Sequence, residues 1–443
     1  MAIQLSDHFT YTKLFRFVLP SIGMMVFTSI YGVVDGYFVS NYAGDTSFAA
    51  INLIMPFLML CAAVGFMFGT GGTALVSRYL GEKRAEDANR VFSLLTYFLI
   101  VLGIVLTVFG ELFLKDVSLL LGATEELLPY CVEYGRYILI TLTPFMLQNM
   151  FQSFLVAAEK PRFGFWITVV AGVINIILDW ILVGVLRLGV SGAAAATCIS
   201  QTTGGMIPLI YFLRPNHSRL KLGATKLDLS AIWITCSNGF SEFMSNLSMS
   251  GINMLYNLKL MQLIGQDGVS AFGVVMYVEF LFVSTFIGYA IGTAPIIGYN
   301  FGAGNEKEQK NIFAKSSLIL LAASVAMCLG GMLLAKPISL LYVGYNDALC
   351  SLTARAFMLY SISFLLKGLN IYASSHFTAL NNGLISALIS FLRMFVFRVA
   401  LVLLLPLSLG ADGVWLSVAA SELLSAVVSV AFLVANRKRY HYA

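Results

Sequence analysis

An all-α membrane protein is predicted, with twelve transmembrane helices in two pseudo-symmetric six-helix lobes. Three observations predict it. Of 443 residues, 59% are hydrophobic and only 11% charged, with a mean hydropathy of +0.85, whereas a soluble domain is about 25% charged. The apolar runs are long and lack strand-type alternation, and in lipid every backbone polar group must be satisfied inside its own segment, which favours helices. The second half of the chain repeats the first at a constant offset of 221 residues. The same composition excludes a disordered chain and a secreted disulfide scaffold.

About 20 apolar residues cross a bilayer. Runs of that kind place spans near 14–40, 48–72, 91–112, 130–157, 163–186, 190–213, 231–260, 270–298, 312–335, 352–379, 384–407 and 411–435. The first run is long enough to span and lacks a small-residue cleavage site, so it is expected to stay as a helix. With both termini inside, the inner segments hold Lys13, Arg16, Arg78, Lys83, Arg84, Arg90, Lys160, Arg162, Arg214, Arg219, Lys221, Lys226, Lys307, Lys310, Lys315, Arg437, Lys438 and Arg439, which is 18 of the 27 basic residues. The outer loops hold few, such as Lys115, Arg187 and Lys336. This bias orients both ends to the cytoplasm and predicts a multi-pass protein of the cytoplasmic (inner) membrane. The net charge of +5 reflects it, so no nucleic-acid partner is expected. The six cysteines lie far apart in or beside spans without metal-ligand spacing, and read as small buried apolar residues.

The repeat is clearest between 68–92 (FGTGGTALVSRYLGEKRAEDANRVF) and 289–313 (YAIGTAPIIGYNFGAGNEKEQKNIF). The 221-residue offset sets Gly71 on Gly292, Gly81 on Gly302, and Phe92 on Phe313, and also Gly44 on Gly265, Ala50 on Ala271 and Gly192 on Gly413. Both segments are read as the end of an even-numbered span entering a polar inside loop. Six spans per repeat give both halves the same orientation, a parallel repeat suited to alternating access about a central site. The expected division is a first lobe over 1–213, a cytoplasmic linker over 214–230 and a second lobe over 231–443.

A charge at mid-membrane costs at least about 2.5–3.5 kcal/mol and is a functional hypothesis by default. Asp35, Asp179, Glu242, Glu279 and Glu422 fall in that class. Asp35 lies about 28 Å along the first helix from Arg16, Asp179 about 25 Å along the fifth from Arg162, and Thr197 about 12 Å in from Gly189 at the outer end. All three reach the outer half of the first lobe, and Asn175 shares a helix face with Asp179 four residues later. Two carboxylates, an amide and a hydroxyl at one depth suit a small hard cation or a shared proton, because burial and a second carboxylate both disfavour full ionisation. The plainer reading is interhelical hydrogen bonding alone.

In the second lobe, Lys367 lies mid-span in the tenth helix and Arg393 and Arg398 in the eleventh. They either neutralise Glu242, Glu279 and Glu422 as buried pairs or contact substrate. In the fourth span, Gln148, Asn149, Gln152 and Ser153 make a polar patch that lines a cavity or bonds between helices. Gln148, Asn149, Gln152, Glu242, Glu279 and Lys367 are the candidate substrate-cavity residues.

These residues resemble the multidrug and toxic compound extrusion (MATE) family over essentially the whole chain. The resemblance rests on Pro20 with Asp35-Gly-Tyr-Phe-Val, Arg78-Tyr-Leu-Gly81-Glu, Asn175-Ile-Ile-Leu-Asp179, Gly192-Ala-Ala-Ala-Ala-Thr197 and Tyr299-Asn-Phe-Gly-Ala-Gly304. The bacterial branch with DinF-like and MepA-like exporters is the most similar. The resemblance implies a V-shaped pair of six-helix bundles that exchanges cationic, often aromatic compounds for H+ or Na+, with no cofactor. It implies a cation or proton site at Asp35, Asn175, Asp179 and Thr197, a bend of the first helix at Pro20, and an acidic position of the seventh helix at Glu242. Some relatives carry a tenth-helix carboxylate for a second-lobe Na+ site, where this chain has Lys367, so coupling through the first lobe is favoured. External H+ or Na+ entering at Asp35 and Asp179 is expected to bend the first helix and displace drug. A flippase for a lipid-linked saccharide or lipid is the alternative, kept open by Lys367, Arg393 and Arg398. No magnesium-type acidic motif or HExxH zinc motif is present, so no enzyme is expected, and a monomer is.

Overall fold

A computed structural model describes residues 3–443, apart from the side chains of Asp45 and Ser250. The first lobe is built from α1 (Tyr11–Tyr42), α2 (Asp45–Gly81), α3 (Ala85–Leu120), α4 (Leu128–Ile140), α5 (Leu142–Ala157), α6 (Pro161–Leu178, extended by a π-helical segment Asp179–Val185) and α7 (Gly189–Leu213). The second contains α8 (Leu229–Leu263), α9 (Gln266–Gly302), α10 (Glu306–Val343), α11 (Asp347–Ser361), α12 (Phe364–Ala379), α13 (Gly383–Phe391), a π-helical segment Leu392–Phe397, α14 (Arg398–Leu409) and α15 (Ala411–Tyr440). Eight of these helices are long and apolar enough to cross a membrane, and two bent pairs make ten. The twelve predicted spans are completed by α7 and α8, which are long but rich in Gly, Ser, Thr and Asn.

Local chemistry sets the helix ends. Thr10 accepts from the Lys13 N–H, Asp228 from Ser230 and Ala231, Asn305 from Glu308, Asn346 from Ala348 and Leu349, and Asn382 from Ile385. Each side chain satisfies donors that a helix start leaves orphaned. The 221-residue offset recurs in three dimensions. It maps α2 onto α9 end to end, and both helices follow a glycine in the left-handed region, Gly44 at φ 91° and Gly265 at φ 88°.

Two expectations change. The polar stretches read as inside loops are helical: α2 and α9 run on to Gly81 and Gly302, and the true turns are the few residues before Ala85 and Glu306. Those helix ends are polar because they pack on the other lobe rather than in lipid. The fourth and tenth spans are each broken, by 56° between α4 and α5 and by 45° between α11 and α12. The first break lies at Thr141, whose hydroxyl bonds back to its own helix and to the Cys198 thiol at 3.2 Å.

Close-packed glycines bring the lobes together towards the end where the termini lie. A Cβ on Gly81 would strike the backbone of Tyr299 and Ala303, and one on Gly302 would strike that of Arg78. Gly71 and Gly239 abut the backbones of Thr235 and Met67, and Gly288 and Gly292 those of Ile22 and Val18. At the opposite end, Gly32 and Gly36 of α1, Gly251 of α8 and Gly273 of α9 have nothing within 4 Å. The lobes are therefore packed against each other at the terminal, closed end, while these four glycines meet no neighbour at the other.

The N-terminal segment crosses the closed end. Leu5 N–H donates to Glu159 of the first lobe at 2.7 Å, and Arg219 of the linker pairs with the same carboxylate at 3.0 Å. Phe9 N–H donates to Glu308 of the second lobe at 2.9 Å, His8 lies 2.7 Å from Glu308, and Asn311 and Lys315 donate to the Phe9 carbonyl.

Candidate functional site

Asp179 opens the π-helical segment that follows α6, and Asn175 lies one turn before it; both are buried. A π turn carries an extra residue, shifts the side chains that follow, and recurs at functional sites. Across from them, half-buried Asp35 of α1 faces Asp179, Asn175 and Thr197. The four expected coupling residues thus converge. Tyr134 of α4, fully buried, faces Thr197 from the same side. Tyr31, one turn before Asp35 on α1, faces Thr28 and Gln148. The sequence carried no signal for either tyrosine, because 20 tyrosines are spread along the chain without a distinguishing pattern.

The donor set is oxygen-rich. Both carboxylate oxygens of Asp179 are buried without a hydrogen-bond partner, as are Oδ1 of Asp35, Oδ1 of Asn175 and Oγ1 of Thr197. Buried polar atoms are ordinarily paired. Five such oxygens meeting without a cationic side chain suit a small hard cation, which takes oxygen ligands, or a proton shared between the carboxylates.

Pro20 lies inside α1, which runs unbroken from Tyr11 to Tyr42. Having no N–H, it removes one helical hydrogen bond, so the weak point exists without a break in the helix.

The second-lobe charges form a buried network. Lys367 Nζ lies 2.7 Å from Glu279, Arg393 Nε 2.9 Å from Glu422, and Arg398 3.4 Å from Glu422 and 3.9 Å from Glu279. Tyr360 donates to Glu279, and Asn370 donates to Glu422 at 2.8 Å. Here too a π-helical segment, Leu392–Phe397, presents the key arginine, Arg393. All three bases are paired with carboxylates here. Lys367 is fully buried, while the Glu279 side chain keeps 12% of its exposure. Glu242, half-buried on α8, lies outside the network and faces Arg393. Removing one partner of a buried pair costs about 3–5 kcal/mol, because it strands the other charge. Glu422→Gln is accordingly expected to lower the thermal stability of the purified protein strongly, and Glu242→Gln to leave it nearly unchanged.

The fourth-span amides sit inside the first lobe, not between the lobes. Gln148 and Gln152 line a narrow pocket with Thr168, Gly204 and Pro208, between α5, α6 and α7. Asn149 donates to the Ala62 carbonyl of α2 at 3.3 Å. Their i, i+4 spacing was visible in the sequence, but not which neighbour that face would meet.

The MatE family profile matches residues 20–181 and 243–404, one block in each half of the chain. The chain belongs to the MatE family. A profile described as lipid II flippase MurJ also matches residues 136–246. The multidrug export protein MepA of Staphylococcus haemolyticus is 28% identical over 73% of this chain and 72% of its own length, and that of Staphylococcus aureus strain MRSA252 is 26% identical over 72% and 70%. A solved structure described as the outward-facing conformation of a multidrug resistance MATE family transporter superposes with a TM-score of 0.93 at 21% identity, covering 100% of this chain and 99% of that one. That likeness fixes the fold: a MatE-type pair of helical bundles in a multi-pass membrane protein.

Proposed function

We propose that this MatE protein is a secondary active multidrug efflux transporter. It antiports organic cations or amphipathic aromatic compounds against H+ or Na+ by alternating access, and coupling runs through Asp35, Asn175, Asp179 and Thr197. It is a transporter rather than an enzyme and takes no cofactor. It sits as a monomer in the cytoplasmic membrane with both termini cytoplasmic, so the closed end is the inner one. The lobes 1–213 and 231–443 rock about the 214–230 linker. The observation that carries this reading is the first-lobe acidic cluster: Asp35 and Asp179 face each other with buried, unpaired oxygens and with no cationic partner among the described residues. An ion arriving from outside reaches such a site in this state and stabilises it through differential affinity. The MepA relatives, which are multidrug export proteins, support the substrate class.

A flippase must hold an anionic phosphate in its cavity. The MurJ-profile match keeps that reading in view, but Lys367, Arg393 and Arg398 are already engaged by Glu279 and Glu422, which favours export of cations. Proteoliposomes loaded with ethidium, an aromatic cation, test this. Ethidium movement that requires an imposed pH or Na+ gradient supports the proposal; gradient-independent movement, or translocation of a lipid-linked saccharide instead, contradicts it.

The N-terminal strap belongs to the same cycle, because it must release when the inner end opens. Glu308→Ala removes the acceptor of Phe9 N–H and Asn311. Hydrogen bonds to charged groups contribute about 1.5–3 kcal/mol each, so the variant is expected to favour the inward-open state by roughly tenfold or more. The labelling rate of a cysteine placed at Ala74, on α2 at the closed end, reads that change.

A further inference from the structure

Where α6 begins and α7 ends, the outer surface of the first lobe holds a pocket of about 450 Å³ that the transport cycle does not use. Its rim is polar and basic: Lys160, Arg214 and His217. Its wall is apolar: Phe163, Ile207 and Ile210. Among the described residues neither Lys160 nor Arg214 pairs with a carboxylate, and the nearest acid in sequence, Glu159, is held by Arg219 and Leu5.

The apolar wall continues into the lipid-facing surface. Exposed residues of α6 (Trp166, Val170, Val173, Ile177) and of α7 (Ile199, Met206, Ile210) form apolar stripes running outward from the pocket. A ligand that satisfies both parts needs an anionic head at the inner interface and an apolar tail along the helices. A free anion would leave the wall uncovered, and a zwitterionic lipid would leave the cations unmatched. We infer that this pocket is a binding site for one anionic phospholipid of the inner leaflet. It sits at the root of the 214–228 stretch that joins the lobes, so its occupant braces the fixed end of that connection. Basic pockets between helices on the cytoplasmic side take anionic head groups by this chemistry.

Native mass spectrometry of the full chain in detergent tests it, titrating dioleoyl phosphatidylglycerol, dioleoyl phosphatidylcholine or inorganic phosphate. One tight phosphatidylglycerol step is expected, weakened by roughly ten- to thirtyfold in Lys160→Gln/Arg214→Gln. It should persist in Lys307→Gln/Lys310→Gln, which removes equal charge from the other lobe. Equal binding of phosphatidylcholine, displacement by inorganic phosphate, an equal loss in both double variants, or no loss in either would each overturn the assignment. A thermal melt of each variant confirms that it remains folded.

Discussion

Replacing Gly81 or Gly302 with valine is expected to cut export sharply, and replacing both to abolish it, while both lobes stay folded. The two glycines correspond under the 221-residue offset, and each meets the other lobe at the position where its counterpart meets the first: Gly81 at Tyr299, Gly302 at Arg78. A Cβ at Gly81 would lie 2.8 Å from the Ala303 nitrogen, and one at Gly302 would lie 2.9 Å from the Arg78 carbonyl carbon. These obstacles are backbone, so no side-chain rotation relieves them; the helices must part. Overpacking of this kind costs about 1–3 kcal/mol per site, while about 5.5 kcal/mol reverses a 99:1 equilibrium. A single variant therefore depopulates the outward-open state heavily, and the double variant removes it. Interlobe distances between spin labels should shift towards inner opening, and ethidium export by the double variant should fall to the rate of empty liposomes. Gly273→Val is the control. Its Cβ would meet nothing within 4 Å, and export should persist.

Asp179→Asn is the second large effect. Asp179 is fully buried and neither of its oxygens has a partner. Asparagine keeps the shape but cannot gain a proton or supply a charge for Na+. In the native protein, adding H+ or Na+ should weaken ethidium binding by about 5–150-fold, the usual range of coupling between two sites. In Asp179→Asn that factor should collapse towards one while ethidium still binds. Calorimetry with and without the ion measures it. An unchanged factor would place the ion elsewhere, and Glu242 would be the next carboxylate to examine.

The sequence made the architecture legible because hydropathy and the repeat act over whole helices. Both were carried by many residues, and local errors averaged out. The extended α2 and α9 ends escaped because a glycine-rich, polar helix end has the composition of a loop; only the partner lobe explains why Gly71, Gly81, Gly292 and Gly302 are small. The convergence of Asp35, Asp179 and Thr197 was legible from rise per residue, since α1, α6 and α7 run roughly through the membrane thickness. The π-helical segments at Asp179 and Arg393 left no trace, because one extra residue in a turn does not alter a hydrophobic average. Lys367, Arg393 and Arg398 were visible as intramembrane bases, but their partners depended on rotation about each helix axis, which spacing alone leaves open.

Gradient-driven ethidium transport in proteoliposomes, comparing the native protein with Asp35→Asn/Asp179→Asn under a pH or a Na+ gradient imposed singly, tests the coupling site most directly. The account predicts that one gradient drives native export, and that the double variant binds ethidium yet exports none under either gradient. Full gradient-driven export by that variant would contradict it.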